Sequence, residues 1–202
     1  VRHIRKTKEE RQSEIRKAAL TVFLKKGYRQ TTMEDIIAAT SLSKGGFYHY
    51  YGSTKEILID IMRCGNYQFF EEHNELEQVA SKEELCVALT RSILAKILQE
   101  KPEKKLFLMF AYEMLYDRDF ESVYLQFEQD SLALFAKIIQ GAVPYARVET
   151  VQDKEFFISR LINALLLSQN LFSNKAILQN SKEQLYQIFY ELYRDLLDSC
   201  GE

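Results

Sequence analysis

The sequence predicts an all-α protein of about nine helices, in which an N-terminal three-helix helix-turn-helix unit is followed by a larger helical part. Three observations carry this prediction. Only 7 Gly and 2 Pro occur in 202 residues, so helix breakers are scarce, while Leu, Lys, Glu, Gln and Ala are abundant. Pairs of Ser or Thr with an acidic or amide residue three positions on satisfy orphan amides at a helix start. They recur at Thr7/Glu10, Thr32/Asp35, Ser53/Glu56, Ser81/Glu84 and Ser181/Gln184. Apolar residues make up 47% of the chain and the net charge is -2, which excludes disordered, collagen-like and low-complexity classes and allows a sizeable core.

The first helix is expected from about Lys8 to Lys26, burying Ile15, Ala18, Ala19, Val22 and Phe23 and stopping at Gly27. A short helix follows Thr32 and buries Ile36, Ile37 and Ala39; another runs from Ser43 to Tyr50. Ser53 caps a long fourth helix towards His73, in which Gly65 eases a bend or permits close packing. Later helices are expected over Ser81 to Gln99, Pro102 to Tyr116, Asp119 to Gln140 (stopped by Gly141 and Pro144), Asp153 to Phe172 and Lys182 to Asp198.

Charge divides the chain. Residues 1–55 sum to +7 and the remaining 147 to -9, so the two parts suit different partners. A basic unit attracts polyanions by counterion release, although charge alone equally fits a solvated basic face. The longest charge-free apolar stretch, Leu161 to Asn174, is polar-interrupted and shorter than the ~20 residues a membrane span needs, so no membrane partner is expected. The basic N-terminal segment lacks the apolar stretch of a signal peptide, and Cys64, Cys86 and Cys200 have no disulfide or zinc spacing. A cytoplasmic protein with reduced thiols is the expectation.

Two short helices joined by a tight turn within a basic segment form the pattern of a helix-turn-helix, whose second helix enters the DNA major groove. The run Thr31 to Tyr51, TTMEDIIAATSLSKGGFYHYY, resembles the DNA-binding signature of the TetR family of bacterial transcriptional regulators. Ala18, Ala19, Phe23, Gly27 and Tyr28 upstream and Ser53 to Leu58 downstream also fall where that family places equivalents, so the resemblance covers residues 8–60. There are two departures: Thr40-Ser41 where the family usually has Ala-Gly, and Thr54-Lys55 where Lys-Glu is usual. Ser41 then takes a turn that Gly adopts easily, under strain if its φ is positive.

The chemistry of the same residues points to DNA. Gly45 and Gly46 let the backbone approach a duplex closely, leaving Lys44 as the candidate guanine contact and His49 as a second base or phosphate contact. Phe47 and Tyr51 are expected to pack inward, and Tyr48 and Tyr50 to offer hydroxyls to phosphate. Thr32, Ser43 and the helix starts they mark, with Lys55, complete the candidate DNA contacts. An arm bearing Arg2, Arg5, Lys6 and Lys8 either adds minor-groove contacts or is a solvated tail.

The resemblance implies a DNA-binding domain over 1–53 and a helical ligand-binding and dimerisation domain over 54–202, with the last two long helices forming a homodimer. It further implies a repressor released from a palindromic double-stranded operator by a small-molecule effector. Apolar stripes fit the dimer reading, on Phe157, Leu161, Leu165 and Ser168 and on Leu185, Phe189, Leu192 and Leu196, but equally fit the chain's own core. Candidate effector contacts are Tyr67, Phe110, Glu113, Met114, Phe127, Arg160 and Asn163, with His73 and Tyr112 as further candidates. Glu113 is suited either to a cationic ligand or to an ion pair with a neighbouring helix. Cys64, His73 and Cys86 match no compact metal motif, so neither metal nor cofactor is expected. The alternatives are a helical small-molecule-binding protein or enzyme retaining a helix-turn-helix, and a regulator answering to a protein partner. For the enzyme no phosphate loop, His cluster or catalytic triad motif is apparent.

Overall fold

The computed structural model describes residues 6–71, 76, 79, 81–143, 146, 152–172, 174 and 176–200, except the side chains of 66–71. Among these residues there are ten helices and no strands. They are α1 (Lys8–Lys26), α2 (Met33–Ala38), α3 (Lys44–Tyr48), α4 (Thr54–Glu71), α5 (Lys82–Leu98), α6 (Glu103–Glu113), α7 (Arg118–Ala142), α8 (Gln152–Leu171), α9 (Ala176–Asn180) and α10 (Lys182–Ser199). Tyr67, as a side chain, and His73, Pro144, Arg2 and Arg5 lie outside the described residues.

Capping explains where the first helices begin. Thr7 and Glu10 close a reciprocal box, with the Glu10 amide 3.2 Å from the Thr7 hydroxyl oxygen and the Thr7 amide 2.6 Å from the Glu10 carboxylate. Thr32 and Asp35 do the same for α2. Gly27 ends α1 at φ 81° and ψ 153°, so its φ is positive but its ψ is extended; its amide still donates to Phe23 O at 2.8 Å.

Several expectations differ from the structure, each for a local reason. Helix α6 ends at Glu113 and not at Tyr116, residues 114–116 forming a turn. The third helix stops at Tyr48, since His49 and Tyr50 form a turn. The seventh runs through Gly141 to Ala142, a lone Gly weakening a helix without breaking it. The Ser181 side chain caps nothing: its amide donates to Ile177 O in the short helix α9, which the sequence pattern did not reveal. Ala39, expected inside, is exposed at the end of α2, where Ile36 alone is fully buried. A Cβ on Gly65 would meet nothing within 4 Å, so close packing does not require that glycine.

Two apolar clusters organise the chain. The first gathers Ile15, Ala19 and Phe23 of α1, Ile36, Phe47, Tyr51 and Ile57, Leu58 and Ile61 of α4. It continues without a break into Leu106 and Phe110 of α6 and Phe120 and Tyr124 of α7. The second unites α5, α7, α8 and α10 around Leu85, Ile97, Ile139, Phe189 and Leu196. Most of the α8 and α10 stripes are consumed there: Leu185, Phe189 and Leu196 are buried, and Leu161, Leu165 and Leu192 pack against them. Cys86 and Cys200 are buried and Cys64 is partly buried, all as free thiols.

Candidate nucleic-acid interface and the buried polar network

Helix α3 is five residues long, too short to be stable alone, so its position is set by what holds its ends and its one buried side chain. Phe47 anchors it with no exposure. The Ser43 hydroxyl accepts the Gly46 amide at 3.2 Å. At the exit, the buried Tyr51 donates its hydroxyl to Asp60 at 2.5 Å, and Asp60 also receives Arg16 of α1 at 2.9 Å. Phe47 and Tyr51 thus face inward as the sequence pattern suggests.

The turn before α3 resolves the departure at Ser41. No described non-Gly residue has a positive φ, so Ser41 carries no left-handed strain. It is instead tied to α1: its hydroxyl donates to Glu14 at 2.7 Å, and Glu14 also receives Lys6 at 2.9 Å and Arg11 at 2.8 Å. Lys6 and then Ser41 hold the Glu14 carboxyl down at about 2. Because this lies below the unfolded value, the tie contributes stability above about pH 4.5 that is lost as pH falls towards 2. Glu14→Gln is expected to flatten that part of the stability curve, as followed by thermal unfolding between pH 2 and 5.

The outward face of α3 presents Lys44, Tyr48 and His49 to solvent. Lys44 Nζ rests 3.0 Å from Glu34 of α2, both side chains remaining more than 60% exposed. A Cβ on Gly45 would touch nothing within 4 Å, so neither internal packing nor a positive φ requires glycine there. The Thr32 and Ser43 oxygens both serve their own helix caps. Tyr50 is partly buried against the first cluster, unlike the exposed Tyr48. Lys55 faces the second part of the chain, where it pairs with Asp117 at 2.7 Å and Asp119 at 2.6 Å.

The effector candidates separate into three places. Phe110 is fully buried, stacked on Phe127 at 6.3 Å and edge-on to Phe120 at 5.3 Å. Glu113, at 7% exposure, takes the ion-pair alternative: Arg29 Nε lies 2.8 Å away, with its guanidinium also over the Tyr112 and Tyr116 rings. Met114 follows it, partly buried. Arg160 and Asn163 of α8 meet in one network that the sequence did not disclose. In it Arg160 reaches Glu128 at 2.9 Å, Tyr124 donates to Glu128 at 2.8 Å and Asn163 donates to Tyr124 at 2.6 Å. Glu128 is buried, and periodicity marks such a residue as facing inward without naming its partners.

Near this network the interior holds two groups that titrate close to neutrality. Burial pushes the Glu155 carboxyl up to about 7, reinforced by Glu128, and pushes the Lys96 ammonium down to about 8. A carboxyl raised above its unfolded value of 4.5 costs stability as pH rises from there through 7. Glu155→Gln is therefore expected to raise Tm by ~2–4 °C at pH 8 and to leave it unchanged at pH 4, as read by calorimetry.

Among the described residues, no helix is long and apolar enough to cross a membrane. Nor do three or more His, Cys, Asp or Glu converge on a metal position there.

Comparison with known proteins finds relatives chiefly of the N-terminal part. Residues 15–61 match the model for bacterial regulatory proteins of the tetR family. An uncharacterised HTH-type transcriptional regulator, YfiR of Bacillus subtilis (strain 168), is 45% identical over 58 residues, 29% of this chain and 28% of that protein. A second uncharacterised HTH-type regulator, from the lacX 3' region of Lactococcus lactis subsp. lactis, is 30% identical over 107 residues, 53% of this chain and 52% of that protein. The matches thus span about a quarter and about half of the two curated relatives. A crystal structure of a candidate TetR-family regulator from Syntrophomonas wolfei superimposes with a TM-score of 0.72 at 20% identity, covering 95% of this chain and 97% of that one, which shows a shared fold. Residues 15–61 thus match the N-terminal segment of bacterial regulatory proteins of the tetR family, and the all-helical fold of the whole chain is shared with the Syntrophomonas wolfei protein.

Proposed function

We propose that the chain is a DNA-binding transcriptional regulator and not an enzyme: a homodimeric, cytoplasmic repressor released from a palindromic operator by a small-molecule effector. The observation that carries this reading is the outward face of α3, where Lys44, Tyr48 and His49 surround a glycine that the chain itself does not need. An open backbone beside a lysine suits close approach to a groove edge. Thr32, Ser43, Gly46 and Tyr50 support that face through caps and packing, while Lys55 contributes through its hold on the α6–α7 turn.

Division into a DNA-binding part and an effector and dimer part accords with the split of charge along the chain. The first half of α4 belongs with the N-terminal core. Support for the dimer comes from Phe157, Leu171, Phe172, Ile177 and Ile188, apolar side chains on and beside α8, α9 and α10 that remain exposed. Support for an effector site comes from the buried polar network of Glu128, Tyr124, Arg160 and Asn163 beside the aromatic Phe110 and Phe127. A similar structure, a candidate regulator from Saccharomonospora viridis (19% identical, TM-score 0.66), is a complex with choline. The effector here is a compound of unassigned identity.

The test is fluorescence anisotropy with the promoter DNA adjoining the protein's own gene, and with duplexes selected from a random pool, at two salt concentrations. Selective binding that weakens steeply with salt is expected. Lys44→Ala is expected to weaken it ~5- to 100-fold, the range for loss of a good base contact. Gly45→Ala is expected to weaken binding while the fold is as stable or up to ~1 kcal/mol more stable, because Ala favours helix. Equal affinity for all duplexes, unaltered by either substitution, overturns the reading.

A further inference from the structure

A cleft of about 440 Å³ lies where the DNA-binding unit meets the second part, away from both the interface on α3 and the buried network of Glu128. Its walls include Leu24 of α1, Lys101 and Pro102 in the α5–α6 turn, Lys105 of α6, and Gln169 and Asn170 of α8. This volume is in the range of small-molecule sites.

Gln169 is the informative wall residue. It is only 6% exposed, and its side-chain amide nitrogen donates to no acceptor among the described residues. Buried donors are almost always paired, because an unmade buried hydrogen bond costs more than a made one gains. The nitrogen is itself closed to solvent, so an acceptor in the cleft completes the pair through a turn of the Gln169 amide towards the opening. The neighbouring charge specifies that acceptor further: three of the four charged wall residues are lysines, with Glu100 the exception. Lys104 braces the turn by donating to the Ile97 and Gln99 carbonyls. Helix α6 opens at Pro102 without a side-chain cap, so its positive end also faces this region. Leu24 and Pro102 supply apolar wall.

We propose that this cleft is a binding site for a small organic carboxylate, with its oxygens taking the Gln169 amide and the lysine charge and its apolar tail lying against Leu24 and Pro102. Such a ligand touches α1, α6 and α8 together, so it braces the DNA-binding unit against the second part. That regulatory consequence rests on the DNA-binding reading above; binding itself does not.

The experiment titrates the full chain with butyrate while NMR follows the Gln169 side-chain amide pair and the Leu24 methyls. Butyramide and inorganic phosphate at matched ionic strength serve as comparisons. Saturable shifts with butyrate are expected, at least fivefold weaker with butyramide, abolished in Gln169→Met and several-fold weaker in Lys105→Gln. Thermal unfolding verifies that each variant folds, and Lys105→Gln carries the test if Gln169→Met does not. The absence of a saturable butyrate shift, its persistence unaltered in folded Gln169→Met, or equal binding of butyramide overturns the site; response to phosphate alone overturns the carboxylate assignment. With operator DNA present, butyrate is expected to change affinity at least threefold in the wild type and not in Lys105→Gln. Binding without that change overturns the regulatory consequence, whereas a ligand-free protein that never selects an operator overturns the DNA-binding reading and leaves the site standing.

Discussion

Phe47→Ala is expected to abolish operator binding while the second part of the chain stays folded. Phe47 is the buried residue of a five-residue helix and belongs to the cluster that includes Ile15, Ala19, Ile36 and the start of α4. Truncating a buried Phe costs ~3–5 kcal/mol, which is a large fraction of the ~5–15 kcal/mol that holds a domain together. The loss falls on the element that no local propensity sustains, since Gly45 and Gly46 are among the poorest helix formers. Circular dichroism in urea and anisotropy with operator DNA check this together. Retention of wild-type affinity by the folded variant shows that α3 is held by its caps and not by Phe47.

The second large effect is expected at Phe110→Ala. This side chain lies where the first cluster passes from α1 and α4 into α6 and α7, packed between Phe120 and Phe127. A similar ~3–5 kcal/mol is at stake, but here it joins two units. Unfolding is therefore expected to split into two calorimetric transitions, the earlier belonging to the N-terminal unit. The Arg29–Glu113 and Lys55–Asp117 pairs remain as bridges, yet Arg29 is half exposed, and such pairs are worth little beside a buried aromatic. A single transition that shifts as a whole would place the joint elsewhere.

Local chemistry made much of this fold legible. The bounds of α1 follow from Thr7 and Gly27, and α5 starts at the Ser81 that marks it. The inward turn of Phe47 and Tyr51 follows from the need of a short helix to bury one face. What stayed hidden joins distant parts of the chain. Arg29 meets Glu113 across 84 positions, Lys55 meets Asp117 across 62, and Glu14 fastens Ser41 across 27. Periodicity says which side of a helix is buried and leaves open what the other helix offers there. The same limit applies to Arg160 and Asn163, readable one by one as polar residues on an apolar helix, whereas their meeting at Glu128 and Tyr124 depends on how α7 crosses α8. Helix α9 escaped because five residues are too few to show a period.

The pairing of Lys44 with Glu34 bears on how a protein with the proposed function travels along a chromosome. In the proposed complex Lys44 exchanges an exposed carboxylate partner for a phosphate, which trims its gain from an arbitrary duplex by the small worth of such a pair. At a cognate site the exchange also brings the ordered acceptors of a base edge, and only there does it become favourable. On the proposed DNA-binding reading, the carboxylate of Glu34 shortens each stop on irrelevant DNA, giving up some grip for a faster scan.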